Sequence, residues 1–109
     1  MLNLHKINLY MEFDVKIIGD SRDGNARRTL FQTCGKVCST MIEITTDGDT
    51  ITSVQFTNGC HGNTQGVAAL CKGMKINDAA DRLEGINCRG RGTSCPDQLA
   101  KALRMMSQE

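Results

Sequence analysis

The sequence has no tryptophan, one tyrosine, three phenylalanines and a single proline. Large rings normally supply much of the apolar area of a small core. A core here must therefore be built from smaller residues or held by something besides packing. Charge of one sign is also missing: 13 Lys and Arg face 12 Asp and Glu, a formal net charge of +1. Sequence-independent nucleic-acid binding needs a basic surface, so that class is not expected. Long apolar runs are absent as well. Residues 1–20, MLNLHKINLYMEFDVKIIGD, alternate apolar with polar residues. A secretory signal would need a continuous apolar centre of roughly 7–15 residues, and a membrane span one of about 20. The expected location is the cytoplasm, away from membranes. Neither a G-x-x-x-x-G-K-[ST] phosphate loop nor a G-x-G-x-x-G run between strand and helix is present. Paired carboxylates or a Ser-His-Asp set do not suggest themselves.

What the chain does have is six cysteines in 109 residues. That length predicts one modest domain. A core short of aromatics is often stapled by disulfides or a metal. In the cytoplasm, structural disulfides are rare and clustered cysteines more often bind metal or do redox chemistry.

Residues 1–28 lack cysteine and read as an N-terminal extension, the first ten residues loose, with an edge strand where Phe13, Val15 and Ile17 alternate. The turn-like Ser21-Arg22-Asp23-Gly24-Asn25 follows. Residues 29–109 read as the domain proper. Leu30 to Thr33 suits a short strand. A hairpin is then predicted at about 38–57. Thr40, Ile42, Ile44 and Thr46 share one face, and after the turn Asp47-Gly48-Asp49 so do Thr52, Val54 and Phe56. Asn63 is placed to cap a helix from Thr64, with Val67, Leu70, Cys71 and Met74 inward and Gly73 near its end. A short second helix buries Ile76, Ala79, Ala80 and Leu83, with Asn77 as its cap and Gly85 closing it. The last helix opens at Cys95-Pro96-Asp97 and buries Leu99, Leu103 and Met106. Strands first and helices after indicate an α+β fold: a small antiparallel sheet followed by three helices packed on one face.

Cys38, Cys60, Cys88 and Cys95 all fall at element ends, where ligand residues are usually presented. Cys60 and Cys95 stand at helix starts, a setting that lowers a thiol's pKa and favours the thiolate that binds metal. Zinc or iron takes four such ligands at tetrahedral corners. Spacing alone leaves inert buried thiols, redox chemistry and disulfides open, because no paired C-x-x-C knuckles are present. Cys71 reads as core and Cys34 as an incidental thiol, with a supplementary ligand or redox partner as its sharper alternative. His61 reads as a ligand, a base or a surface residue. Arg89 and Arg91, on glycine hinges, either clamp a phosphate or carboxylate or belong to a solvated loop.

The string Thr93-Ser94-Cys95-Pro96-Asp97, with G-C-H-G-N at 59–63, G-I-N-C at 85–88 and G-K-V-C-S at 35–39, resembles the TSCPD domain family. More narrowly, it looks like the small stand-alone branch with four characteristic cysteines. The likeness runs from about Phe31 to Met106 and implies that Cys38, Cys60, Cys88 and Cys95 are the family's four. It also implies an association with ribonucleotide reduction, because such domains occur at the C-terminus of adenosylcobalamin-dependent ribonucleotide reductases. The large ten-stranded barrel of those enzymes exceeds this chain, so the implied role is accessory: metal binding or nucleotide sensing. In layout, the three cysteines at 38, 60 and 95 are similar to those of iron–sulfur scaffold proteins of the IscU/NifU type. The resulting expectation is a thiolate metal-binding domain holding zinc or an iron–sulfur cluster, its partner a ribonucleotide reductase. The alternatives are a nucleotide-binding module using Arg89 and Arg91, and a thiol redox protein.

Overall fold

A computed structural model describes residues 13–90 and 92–108. The expected loose extension at the start of the chain and Arg91 lie outside the described residues. Four strands form one antiparallel sheet in the order β1-β2-β3-β4: β1 (Lys16–Asp23), β2 (Ala26–Gln32), β3 (Ser39–Asp47) and β4 (Thr50–Asn58). Three helices follow: α1 (His61–Cys71), α2 (Ile76–Leu83) and α3 (Cys95–Ser107). The architecture is the α+β arrangement that the order of patterns predicts.

Tight turns join β1 to β2 at Gly24-Asn25 and β3 to β4 at Gly48-Asp49. Both begin on a glycine with positive φ, +62° at Gly24 and +60° at Gly48, a conformation costly for any residue with a Cβ. The two turns meet at one end of the sheet, where the Gly48 N–H donates to the Asn25 carbonyl at 2.9 Å. The opposite end therefore carries the β2–β3 connection and the exit from β4. β1 is an edge strand paired to β2 from Lys16 to Asp23, and the boundary expected between residues 28 and 29 falls inside β2.

Alternation sets the buried face on β2 and β3: Thr29 and Phe31 on one, Ile42, Ile44 and Thr46 on the other. These join Leu99, Leu103 and Met106 of α3, Ile76, Ala79 and Ala80 of α2, and Cys71 in one core. α3 is buried around most of its first two turns, while α1 lies along β4 and α2 against α3. Arg104 of α3 ties the two last helices by ion pairs with Asp81 and, at 3.2 Å, Glu84.

Four sequence expectations are corrected, the first being that Thr40, expected on the face of Ile42 and Ile44, is exposed. Thr52 is exposed and Ile51 takes its place in the core, because the β3–β4 register slips between Thr45 and Thr46 and leaves Thr52 as an extra residue. Helix α1 begins at His61 with Cys60 as its N-cap, not at Thr64 under Asn63. The stripe that packs on the core runs through Thr64, Val67, Ala68 and Cys71 and leaves out Leu70. Thr64 and Cys71 are buried, whereas Leu70 is 78 % exposed. Asn77 likewise lies inside α2, whose N-cap is Lys75.

Removing core volume and removing an exposed leucine should therefore separate cleanly. In urea titrations, Leu103→Ala should cost about 2–5 kcal/mol of unfolding free energy. Leu70→Ala should stay within about 0.5 kcal/mol. Equal losses would contradict the placement of α1.

Candidate thiol site

The end of the sheet opposite the two tight turns gathers the cysteines. Antiparallel pairing sets Ser39 at the start of β3 against Asn58 at the end of β4. Cys38 precedes the one and Cys60 follows the other by two residues, so hairpin register alone brings them to the same edge. α3 begins at this end as well: the Ser39 Oγ lies 3.1 Å from the Cys95 Sγ. Cys88 sits in the loop before α3, which its own N–H closes by donating to the Thr93 carbonyl at 3.1 Å. All four thiols line one cavity of about 320 Å³, with Lys36, Val37, Asn63, Ile86, Asn87, Ser94 and Pro96. Cys38, Cys60 and Cys88 are exposed, and Cys95 is buried.

A buried polar knot at the start of α3 holds these loops in place. Ser94 is the N-cap and accepts the Asp97 N–H at 3.1 Å, while its hydroxyl donates to the Ile86 carbonyl at 2.6 Å. The Asp97 carboxylate, 2 % exposed, accepts the Gly85 N–H at 2.8 Å and the Thr93 hydroxyl at 2.6 Å, and it pairs with Lys101 at 3.2 Å. Gln98, fully buried, donates to the Phe13 carbonyl at 2.5 Å and to the Thr93 hydroxyl at 3.1 Å, and it accepts the Cys34 N–H at 3.0 Å. Gly85 and Ile86 open the loop that carries Cys88, and Cys34 opens the loop that ends in Cys38. Thus Ser94, Asp97 and Gln98 each fix the root of a thiol-bearing loop. The Phe13 ring also lies against Gly92, where an added Cβ would come within 2.7 Å of the ring. No buried side-chain nitrogen or oxygen among the described residues lacks a partner.

The thiols feel one another. Cys60 has its pKa raised, first by the charge of Cys38 and then by a side-chain hydrogen bond with it, with burial, Cys95 and Cys88 adding in the same sense. The lowering expected from its place at a helix start is overridden, because a nearby thiolate opposes a second negative charge more than the helix end favours one.

The remaining candidates lie elsewhere. Cys71 is a core thiol, and burial pushes its pKa up. Cys34 is half-buried and does not line the thiol cavity. His61 borders a larger cavity of about 570 Å³ where the outer sheet face meets α1, beside Leu30, Met41 and Gln55. Arg89 is exposed, has a positive φ of 52° and does not line the thiol cavity. Among the described residues, no group of three or more His, Cys, Asp or Glu side chains is arranged to hold a metal ion as it stands. In donor chemistry the shared cavity nevertheless fits a soft metal: four cysteines line it, and a cation would relieve the charge that Cys38 imposes on Cys60.

Sequence reasoning missed Ser39 and Gln98. Nothing in their local pattern marks them; Gln98 reads only as a polar helix residue and Ser39 only as a strand start.

A four-stranded meander followed by three helices, with a polar knot at the start of the last, defines a small α+β domain that presents thiols at one end. The TSCPD domain model matches residues 12–107, and the chain belongs to that family. The match starts well before Phe31 and takes in β1, consistent with the pairing of β1 into the sheet. No curated protein and no solved structure matches the chain. Among the described residues, no helix is long and apolar enough to cross a membrane.

Three outcomes follow from this geometry. In metal-free protein, alkylation of Cys60 should set in at higher pH than for an isolated thiol, and Cys38→Ser should move the onset back down. Site-resolved mass spectrometry across pH reads this, and an onset indifferent to Cys38→Ser would sink the assigned cause. A thiol pKa raised in the folded state gives stability that is complete below the unfolded-state pKa and declines as pH rises through the folded-state one. The metal-free fold should accordingly weaken on the alkaline side. Gln98→Ala, which strands the Cys34 N–H and the Phe13 carbonyl, should cost roughly 1–3 kcal/mol in chemical denaturation. A loss indistinguishable from zero would remove Gln98 from the knot.

Proposed function

We propose that this chain is a small thiolate metal-binding domain in which Cys38, Cys60, Cys88 and Cys95 together hold zinc or an iron–sulfur cluster. The observation that carries the reading is selective: those four cysteines line one cavity, while Cys34 and Cys71 do not. Sulfur is a preferred donor for both zinc and iron–sulfur centres, and a bound centre would supply the staple that a core poor in aromatics lacks. Cys38 and Cys88 are exposed on loops rooted in the polar knot, and Cys60 is exposed at the start of α1. Drawing the sulfurs together around a metal therefore asks for adjustment of loops and leaves the sheet and helices alone.

Membership of the TSCPD family supports a cytoplasmic, accessory role beside a ribonucleotide reductase, since that is the setting the family resemblance implies. The raised Cys60 pKa speaks against a reading in which Cys60 is a low-pKa redox thiol. Arg89, exposed and outside the thiol cavity, lends no support to a phosphate clamp over it.

Metal analysis and a visible spectrum of protein purified without oxygen test the proposal. About one zinc, or the iron and colour of about one cluster, is expected per chain. Metal well below that level in protein never exposed to chelators would overturn the reading. Single replacement of Cys38, Cys60, Cys88 or Cys95 by serine should lower the metal content, and Cys71→Ala should leave it unchanged.

A further inference from the structure

β3 does not keep a single register. Met41, Glu43 and Thr45 point to the outer face, opposite Ile42, Ile44 and Thr46. In an undisturbed strand Ser39 would lie with the outer set. The pairing with β4 slips between Ser39 and Met41, leaving exposed Thr40 as the extra residue. That bulge turns Ser39 inward, where it is 1 % exposed.

The inward position is held from both sides. The Thr33 hydroxyl donates to the Ser39 carbonyl at 2.7 Å. On the other flank the Gly59 backbone is pressed so close that an added Cβ would sit 3.3 Å from the Ser39 Cβ. Gly59 itself has a φ of +98°, so the approach uses the residue best able to make it. The result is a buried hydroxyl with its Oγ 3.1 Å from the Cys95 Sγ.

We propose that Ser39 is a positioning residue of the thiol site, its hydroxyl donating a hydrogen bond to the Cys95 thiolate and making Cys95 unlike the other three. The inference rests on the metal reading above. A thiolate has only lone pairs to offer, so in that state the serine must be the donor. Donation to sulfur draws charge from it, weakening its push toward a metal. Cys95 is also the one buried thiol of the four. One ligand is thus held rigidly in a polar pocket on a helix start, and three are offered from exposed loops.

Cobalt(II) titration of the metal-free protein tests this through the thiolate-to-cobalt charge-transfer band. Removing a hydrogen bond from a ligand sulfur raises its electron energy, so Ser39→Ala should move the band to longer wavelength. It should also weaken cobalt binding by about tenfold, because the Cys95 sulfur loses the contact that holds it in place and this outweighs the stronger push of the freed sulfur. Thr33→Val, which loosens the same strand start but keeps the hydroxyl, should leave the band where it is. Ser39→Thr should hold it near the wild-type position, and this variant serves as the readout if Ser39→Ala does not fold.

An unmoved band in Ser39→Ala would overturn the role of Ser39 while leaving the metal reading intact. Equal shifts in Ser39→Ala and in either Thr33→Val or Ser39→Thr would also overturn it, since the cause would then be loop geometry. No cobalt band in the wild-type protein would bring down the metal reading itself, and this inference with it.

Discussion

The start of α3 is the constraint on which the rest of the structure depends. Pro96 contributes no N–H to the first turn of the helix, Ser94 caps it, and Asp97 places a carboxylate where the helix dipole favours negative charge. Those are local preferences. What makes them structural is burial: Thr93, Ser94, Asp97 and Gln98 are all enclosed, and each enclosed polar group needs a partner. The partners are backbone groups of three separate segments, around Phe13, Cys34 and Gly85–Ile86. A satisfied buried network of this kind is directional, so it specifies where the loops sit and not merely that they collapse. The family's signature string is in this light an anchor for loops as much as a bearer of Cys95.

The same anchor explains the character of the thiol site. Its loops are fixed at their roots and exposed at their tips. Cys38 and Cys88 on exposed loops, Cys60 at the exposed start of α1 and Cys95 at the buried start of α3 share one cavity, where the charge of Cys38 raises the Cys60 pKa. A second negative charge at Cys60, beside Cys38, is thereby disfavoured. A bound cation inverts that balance.

Much of the fold was legible from local pattern. The β3–β4 hairpin declares itself through alternating β-branched residues around Asp47-Gly48, and α3 through its opening string and its Leu99, Leu103 and Met106 stripe. The grouping of Cys38, Cys60, Cys88 and Cys95 followed from their place at element ends together with the family resemblance. The errors have a common origin. A bulge at Thr52 and another at Thr40 change which residues face the core without changing composition, and period-two counting cannot see them. Leu70 was assigned inward because Val67, Leu70 and Cys71 make one apolar stripe, whereas packing against the core uses the neighbouring stripe of Thr64, Val67, Ala68 and Cys71. Gln98 escaped notice because its partners are 64 and 85 residues away.

By itself the sequence determined which elements form and which thiols stand at their ends, because propensity, capping and turn chemistry act over a few neighbouring residues. Tertiary structure decided which of those thiols meet and what surrounds them. Antiparallel register set Cys38 beside Cys60, a strand bulge turned Ser39 onto Cys95, and the buried knot roots the Cys88 loop beside the helix that carries Cys95. Each of these is a contact between segments far apart in the chain. Its geometry is selected by the need to bury apolar faces without stranding a single polar group, a condition that only the assembled fold imposes.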